Sequence, residues 1–329
     1  RSRVPGVASP VAGDRGVLAM FGYGAARYAF ASGNRNEAEK LWPLIEWCLE
    51  YCHRQLNVDG VVKSDSDELE NRFPAGKANL CTSSLYYDAL ISAAYLGKAL
   101  KKEHKQIKSY QDRAAELYKN IDVYFARNVE GYDTYRYYDG NTVLRSWICI
   151  PLTMGIYEQA KGTVEALFSD KLWMENGLLT QSGTSTYWDR STLYAFRGAY
   201  SCGARDIATE YLDKYSATRL LGDHVPYAVE AWPEGNQRHL STESALYCRI
   251  MTAGLFGIRP IALDAFVMTP QLPESWNMMS LKRVCAFGSI FDIEVKRDKD
   301  NKLSVLIKKD HKIVKRSKIM NGKPIEVRI

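Results

Sequence analysis

The 329 residues are 46% apolar and 25% charged, a composition typical of a globular chain with one large domain and a small one. No apolar stretch has the length of a membrane-spanning helix, and the first residues lack the pattern of a signal peptide, so we expect no membrane contact. The formal net charge is +6, and residues 281–329 hold 14 Lys and Arg against 6 Asp and Glu. These cations are spread along alternating segments rather than clustered with aromatics, which favours a solvated face over nucleic-acid binding.

Two kinds of predicted helix alternate along the chain. Apolar residues recur on one stripe of residues 36–56 and of residues 105–125, which predicts helices with one solvated side. The stretch LYYDALISAAYL has only Asp88 and Ser92 as clearly polar residues, which predicts a helix buried on most sides. In chain order the prediction is apolar 14–32, amphipathic 35–56, apolar 82–100, amphipathic 105–126, apolar 145–157, a short helix 161–168, apolar 191–202, amphipathic 204–217 and apolar 242–257. This alternation is typical of a double ring with buried helices inside and amphipathic helices outside.

The starts of three apolar helices share a short motif. Ser83, Ser191 and Ser244 each begin the pattern Ser-x-Leu-Tyr, which indicates a helical-hairpin repeat. After Pro260 the helical period stops, and SIFDIEVKRDKDNKLSVLIKK predicts a β-hairpin around an Asp-Asn turn, with a third strand near KPIEVRI. We therefore predict a mainly α chain with a helical-hairpin body over residues 1–260 and a small antiparallel β module over residues 261–329.

Seven cysteines, an odd number, lie mostly in apolar helical runs, which predicts buried free thiols. Cys48 and Cys52 are four residues apart, but no further Cys or His has zinc-like spacing nearby, so we predict neither a metal site nor a cofactor. Free thiols favour a cytoplasmic location, whereas a periplasmic or secreted one would need a signal peptide ahead of Arg1.

Several segments resemble the six-hairpin (α/α)6 glycoside hydrolases, and most nearly their α-L-rhamnosidase-like branch. They are Gly13-Asp14-Arg15, LWPLIEWCLEYC, GNTVLRSW, TYWDRSTLY, Glu230-x-Trp232, LFGIRP and TPQLPESW. The resemblance implies an (α/α)6 toroid followed by a β module, and glycosidase activity on a plant-type or bacterial glycan. A complete toroid of that family has twelve helices, so nine predicted helices suggest that the toroid is incomplete at its N-terminus, in keeping with a chain that opens on Arg1. The open side predicts self-association or a partner fragment that completes the ring.

By this resemblance, two acidic loops stand where the wider clan carries its general acid and general base. The first acidic loop, residues 57–80, contains Asp65, Asp67, Glu68, Glu70 and Arg72. The second acidic loop, residues 218–241, contains Glu230 and Glu234. Hydrolysis with inversion needs two carboxyl groups about 6.5–9.5 Å apart, and neighbouring carboxylates help to keep the acid protonated. We expect Glu68 as the acid, with Asp67 and Glu70 as rivals, and Glu230 as the base, with Glu234 as its rival.

Aromatic and planar polar residues cluster before the predicted inner helices, as a pocket for sugar rings requires. The predicted substrate-binding residues are Asp14, Arg15, Asp67, Glu70, Arg72, Arg145, Trp147, Trp188, Asp189, Arg190, Trp232, Asn236 and Arg238. Each cluster has a simpler interpretation, because aromatic residues at helix starts are also ordinary core and acidic turns are often solvated. For residues 229–244 that interpretation is a helix start, with Ser241 or Thr242 as N-cap and Glu243 near the positive helix end.

One departure from the family bears on the function. Rhamnosidases of this branch carry acidic motifs just ahead of Gly-Asp, but residues 1–12 hold no carboxylate. Either the acid lies in the first acidic loop, or the substrate differs, or the chain lacks a competent acid. The alternatives are a polysaccharide lyase acting on uronates, with His224, Tyr227, Arg238 and His239 as its candidate residues, and a non-catalytic glycan-binding fragment.

Overall fold

Helical hairpins account for most of the structure, a computed structural model that describes residues 15–64, 74–220, 231–232 and 241–329. Nine α-helices lie in these ranges. They are α1 (Arg15–Ser32), α2 (Arg35–Arg54), α3 (Leu80–Leu100), α4 (His104–Phe125), α5 (Ile150–Met154), α6 (Ala160–Leu167), α7 (Asp189–Ser201), α8 (Arg205–Arg219) and α9 (Ser241–Arg249). A 3₁₀ turn, Ser146–Cys149, leads into α5, and a π-helix, Ile250–Leu255, continues α9.

Asparagine side chains set the starts of two helices. The Asn34 side chain accepts a hydrogen bond from the backbone N–H of Asn36 at 2.9 Å, just before α2. The Asn79 side chain accepts one from the N–H of Thr82 at 2.8 Å, just before α3. Both bonds satisfy N–H groups that the first helical turn leaves unpaired, so the chain reverses cleanly into each new helix.

The helices are of two kinds, as their hydrophobic patterns predicted. Of the 21 residues of α3, 16 are buried, whereas only five of the 22 residues of α4 are buried. α1 packs on α3, α3 on α5, α5 on α7, and α7 on the π-helix, so these elements form an inner series. α9, which runs on into the π-helix, belongs to this series, and the remaining helices lie outside it. The predicted toroid of helical hairpins is therefore confirmed.

One face of α1 is open to solvent. Phe21 and Tyr28, seven residues apart on this helix, are 54% and 57% exposed. Self-association, or a fragment that covers this face, stays a prediction.

Inner helices run in the same direction. Cys149, just before α5, lies against the backbone of Ser191 near the start of α7, and Thr153 and Ser201, at the ends of these two helices, line one cavity. The starts of α7 and α9 are likewise adjacent, and Gly254 of the π-helix lies against Arg197. The entrances of these helices therefore share one end of the body, and their C-terminal ends share the other.

Two predicted inner helices differ in detail from the expectation. The helix predicted over 145–157 is a 3₁₀ turn followed by the short α5, which ends at Gly155, where φ is 89°. The helix predicted over 242–257 begins at residue 241 and becomes a π-helix at Ile250.

Six short strands between the helices were not predicted, because two to four residues are too few to show an alternating pattern. They are β1 (Ala126–Val129), β2 (Tyr132–Tyr135), β3 (Trp173–Met174), β4 (Gly177–Leu178), β5 (Tyr187–Trp188) and β6 (Ala231–Trp232).

The C-terminal strands form two antiparallel sheets. They are β7 (Ile258–Ala262), β8 (Ala265–Met268), β9 (Met278–Ala286), β10 (Ser289–Arg297), β11 (Leu303–Lys309), β12 (Lys312–Ile319) and β13 (Ile325–Arg328). One sheet has the order β12-β11-β10-β9 and the other the order β13-β8-β7. The predicted hairpin is β10–β11, in which Arg297 pairs with Leu303 across the turn. The predicted boundary after residue 260 falls inside β7, and the division into two domains stays a prediction.

Aromatic packing joins the two sheets, and one backbone hydrogen bond attaches them to the helices. The ring of Phe266 stacks on Phe287 and Phe291, with centroid distances of 5.1 and 5.7 Å. The N–H of Phe287 donates to the carbonyl oxygen of Ala31, in the last turn of α1, at 2.9 Å.

All seven cysteines are free, but they are not all buried. Cys248 and Cys285 are exposed, so the prediction of buried thiols is wrong for these two, which lie on outward-facing positions of α9 and β9. Within the described ranges, none of the helices combines the length and the apolar character that crossing a bilayer requires.

Candidate active site

The segments that precede the inner helices are joined by paired backbone into one rim. Asn79, at the start of α3, forms an isolated bridge with Tyr138. Further along the chain, Arg145 bridges Gln181, and Tyr187 of β5 pairs with Trp232 of β6. The rim lies at the end of the body where the inner helices begin. A ligand held there faces the positive ends of several helix dipoles.

Two tryptophans and a tyrosine pack together beneath this rim. The ring centroid of Trp147 is 4.8 Å from that of Trp188 and 5.6 Å from that of Tyr194. Trp147 is 1% exposed and Trp188 is 5% exposed. Within the described part of the chain, neither indole Nε1 has a hydrogen-bond partner. Since a buried N–H without a partner is energetically costly, these two donors are suited to a polar ligand.

An ion pair joins the entrances of α7 and α9. Arg190 Nε lies 2.9 Å from Glu243 Oε1, and Glu243 is fully buried. The guanidinium of Arg190 also lies 5.8 Å from the ring centre of Trp188. Arg190 therefore belongs both to the predicted glycan-binding set and to the contact that fixes two inner helices side by side.

Sequence reasoning explained Glu243 only as a favourable residue at a helix start. The repeated motif held a stronger signal. Arg190 stands directly before Ser191, and Glu243 stands directly before Ser244, so the two residues occupy the same position of the Ser-x-Leu-Tyr repeat. Opposite charges at equivalent positions of adjacent inner helices predict the observed pair.

Asp189 lies on the other side of the same helical turn. Its carboxylate contacts Arg219 of α8 twice, through an Nη1–Oδ1 ion pair at 3.0 Å and a hydrogen bond from Nη2 to Oδ2 at 3.1 Å. Asp189 is fully buried. Arg219 also donates to the carbonyl oxygen of Asn176 at 3.0 Å. Burial, reinforced by the nearby Asp189 charge, raises the pKa of Tyr215 well above its ordinary value. Asp189 thus fixes the start of α7 against an outer helix, and its predicted contact with substrate stays a prediction.

Of the remaining described members of the predicted set, Arg145 and Trp232 also lie at the rim. Arg145 is 2% exposed, donates to the carbonyl oxygen of Pro74 at 2.6 Å, and lies 4.1 Å from the ring centre of Tyr137. Arg15 is the first residue of α1. Trp232 is placed by the pairing of its backbone with Tyr187.

Nine predicted site residues lie outside the described residues. They are Asp14, Asp67, Glu68, Glu70, Arg72, Glu230, Glu234, Asn236 and Arg238. Their roles stay predictions. Within the described ranges, no group of three or more His, Cys, Asp or Glu side chains is placed to hold a metal ion.

A second polar group, which the sequence did not indicate, lies where four inner helices meet. The hydroxyl of Tyr23 on α1 accepts hydrogen bonds from Arg249 at 2.8 Å and from Arg197 at 3.2 Å. Burial alone would raise the pKa of Tyr23, but the charges of Arg197, Arg249 and Arg27 outweigh it and lower that pKa to about 7. Beside it, the buried carboxylate of Asp88 on α3 pairs with Arg27 at 3.0 Å and with Arg259 at 2.5 Å.

The sequence matches no protein-family model and no curated protein sequence. Its fold, by contrast, is similar to solved structures. The match to a sialidase covers 93% of this chain and 32% of the sialidase chain, at 14% identity and a TM-score of 0.69. A GH78 family rhamnosidase from Bacillus sp. GL1 matches 86% of this chain with 29% of its own, at 13% identity and a TM-score of 0.54.

A rhamnosidase from Klebsiella oxytoca with rhamnose bound matches 73% of this chain with 46% of its own, at 14% identity and a TM-score of 0.53. The chain spans less than half the length of each of these three proteins. Identities this low speak to the fold alone. The chain therefore has the six-hairpin fold of these glycoside hydrolases, which confirms at the level of the fold the resemblance that its sequence predicted.

Proposed function

We propose that this chain is an α-L-rhamnosidase-like glycoside hydrolase that cleaves a plant-type or bacterial glycan with inversion of configuration. Glu68 protonates the departing glycosidic oxygen, with Asp67 and Glu70 as rival acids. Glu230 activates the attacking water from the opposite face of the sugar, with Glu234 as rival base. The two carboxyl groups must stand about 6.5–9.5 Å apart to leave room for that water.

One observation carries the proposal: described residues beside both acidic loops belong to the same rim. Pro74, in the first acidic loop, accepts a hydrogen bond from Arg145, and the backbone of Arg145 bridges Gln181. From there the paired backbone leads through Tyr187 to Trp232, in the second acidic loop. Loops anchored on one rim can present an acid and a base to a single sugar ring.

The described residues of the rim also supply groups that a sugar needs. Trp147 and Trp188 pack together as an apolar layer beneath the rim and carry two indole N–H donors without partners in the described chain. Arg190 adds a planar cation beside Trp188. Aromatic faces contact the C–H faces of a sugar, while planar donors bind its hydroxyl groups. These residues are proposed to bind and orient the substrate.

Glycoside hydrolysis is tested by incubating the chain with aryl glycosides, an α-L-rhamnoside first, and following product configuration by NMR. We expect Glu68→Gln and Glu230→Gln each to lower kcat by at least about 10³-fold, because each removes one of the two catalytic carboxyl groups. Glu165→Gln is the matched control, since Glu165 is an exposed carboxylate on α6, far along the chain from both acidic loops. The control variant should keep full activity.

The same assay separates the alternatives. Activity retained in both Glu68→Gln and Glu230→Gln would overturn the assignment of the carboxylates, and a product of unchanged configuration would overturn inversion. An unsaturated product from a uronate polymer would favour the lyase, whose candidates His224 and Tyr227 lie outside the described residues. Sugar binding without bond cleavage would favour a glycan-binding fragment.

A further inference from the structure

A cavity lies at the end of the helical body opposite the rim, between the C-terminal ends of the inner helices and the β strands. Its volume is about 720 Å³, within the range of small-molecule sites. Ser201, the last residue of α7, lines it, whereas Arg190, at the rim, is the second residue of the same helix. The cavity is therefore separated from the candidate active site by the length of the inner helices.

The charges that line this cavity are all positive. Arg27, Arg197, Arg205, Arg259 and Lys323 contribute to the wall, and none of the described lining residues is Asp or Glu. Each comes from a different element or loop, so the fold rather than a local run of sequence gathers them.

Nearby anions compensate only part of this charge. Asp88, behind the wall, pairs with both Arg27 and Arg259. Asp206 lies 3.8 Å from Arg205 Nε and is half exposed. Within the described ranges, five cations therefore face two carboxylates and, once it is ionised, the phenolate of Tyr23. The wall keeps an excess of positive charge in either state.

Arg197 provides the most direct indication of a ligand. It is 3% exposed, and its Nη2 donates to the hydroxyl of Tyr23 at 3.2 Å and to the carbonyl oxygen of Thr153 at 3.3 Å. Its Nε and Nη1 have no hydrogen-bond partner within the described residues. A buried guanidinium with two unused donors is costly, and the oxygens of an anion are acceptors for such donors.

We propose that this cavity binds a small molecule bearing an oxyanion, either a phosphate or a carboxylate, with Arg197 as the inner contact and Arg205 and Lys323 nearer the opening. Arginine suits this role because it stays charged when buried and its N–H groups make charge-assisted hydrogen bonds to the oxygens of an anion. The volume leaves room for more than the anionic group alone, so a phosphorylated or acidic sugar fits better than a bare ion. The site is independent of glycoside hydrolysis at the rim.

The proposal is tested by isothermal titration calorimetry on the whole chain, with inorganic phosphate, glucuronate and neutral rhamnose as separate probes. We expect saturable binding of phosphate or glucuronate that weakens as salt is added, because the contact is charge to charge. Which of the two binds more tightly identifies the anionic group. Rhamnose should not bind at this site.

Variants locate the binding. Arg197→Met should abolish it, and the double variant Arg205→Gln/Lys323→Gln should weaken it by at least about tenfold, because two charge-assisted contacts are lost. Lys323 is exposed and Arg205 is partly buried, so the double variant tests the site even where Arg197→Met fails to fold. Arg54→Gln, at an exposed arginine in the last turn of α2, is the matched control and should bind as the parent does.

Two results would overturn the proposal. One is the absence of saturable heat with both anions. The other is an affinity that Arg205→Gln/Lys323→Gln leaves unchanged, since the anion would then lie elsewhere. Neither result bears on glycosidase activity at the rim, and loss of that activity in Glu68→Gln has no bearing on this cavity.

Discussion

Arg190 Nε lies 2.9 Å from Glu243 Oε1, and this ion pair holds the first turn of α7 against the first turn of α9. Glu243 is fully buried, while the side chain of Arg190 is 19% exposed. A buried pair of this kind contributes little net stability compared with apolar packing, yet removing one partner leaves a charge without compensation. The pair therefore fixes the relative position of two entrances to the rim, which is the property that a binding site needs.

Neutralising either member of this pair should destabilise the protein. We expect Glu243→Gln to lower the free energy of unfolding by about 3 kcal/mol, because it removes the carboxylate charge that this mostly buried guanidinium faces. The double variant Glu243→Gln/Arg190→Gln should cost less than the sum of the two single changes, by at least about 1 kcal/mol. Urea unfolding of the four proteins measures this coupling.

The exposed pair Lys214–Glu210 on α8, with a separation of 2.6 Å, is the control for an ion pair in water. Changing Glu210 to Gln should leave unfolding unaltered within the error of the measurement, because solvent screens this pair. Strictly additive effects of Glu243→Gln and Arg190→Gln on the free energy of unfolding would show that the two side chains do not stabilise each other.

Much of the helical body could be predicted because burial on one or on all sides leaves a periodic trace in the sequence. The buried α3 and the amphipathic α4 differ in this trace, and both were placed within two residues of their observed bounds. The hairpin β10–β11 was predicted for the same reason, with period two in place of 3.6. Predicted glycan contacts at Trp147, Trp188 and Arg190 proved to be neighbours, since each stands at the start of an inner helix.

Contacts across the ring could not be predicted in this way. Tyr23 contacts Arg197 and Arg249, which lie 174 and 226 residues away along the chain. The hydrophobic pattern of each helix can be explained without this contact, so it does not reveal the contact. The short strands β5 and β6 join the rim through two residue pairs, too few to leave a pattern. Closure of the body creates both features.

The carboxylate of Asp88 makes stability depend on pH. Burial acts to raise its pKa, but attraction to Arg27 and Arg259 outweighs burial and lowers the pKa below the ordinary value. The folded state therefore binds this proton less readily than the unfolded state, so Asp88 stabilises the fold at neutral pH and less so as pH falls below about 4. Asp88→Asn should thus be most destabilising near neutral pH, and its difference from the parent should shrink in acid.

Urea unfolding at several pH values from neutral to about 3 measures that difference. Asp213→Asn is the control, because Asp213 is an exposed carboxylate on α8. A cost of Asp88→Asn that stays constant across the whole range would mean that the carboxylate's charge does not stabilise the fold.

Among the described tyrosines whose pKa is shifted, Tyr23 should ionise at the lowest pH. Although burial opposes ionisation, Arg197 and Arg249 lower its pKa to about 7, while burial raises the pKa of Tyr200 to about 12. Difference absorbance of the native protein should therefore show one phenolate forming near neutral pH, and Tyr23→Phe should remove that step. Because the unfolded phenol ionises only near pH 10, stability from this group should rise between about pH 7 and pH 10.

Tyr200→Phe is the control for this titration, since its ionisation lies far above neutral pH and its removal should leave the first step unchanged. A first step that persists in Tyr23→Phe would assign it to another residue. Loss of the step in Arg249→Gln, with Tyr23 still present, would show in addition that the guanidinium charge is its cause.

Gly33 should control how the β strands dock on the helices. It has a φ of +66°, and a Cβ at this position would lie 2.3 Å from the backbone N of Gly288 and the backbone C of Phe287. Gly33→Ala must therefore push the turn between β9 and β10 away from the end of α1, in addition to the cost of a left-handed alanine, about 1–2 kcal/mol. Gly131→Ala is the control: Gly131 has a φ of +97° and open space around it, so this variant has only the backbone cost of an alanine at positive φ and no steric clash.

Hydrogen exchange distinguishes docking from simple loss of stability. The amide of Phe287 donates to the carbonyl of Ala31 at 2.9 Å, so it reports on this one contact. In Gly33→Ala it should exchange at least about tenfold faster, while the amide of Leu306 inside β11 keeps the protection of its own sheet. In Gly131→Ala both amides should keep their rates. Equal acceleration of both amides in Gly33→Ala would instead mean that the strands unfold together with the helices, and that the contact at Gly33 does not act as a separate joint.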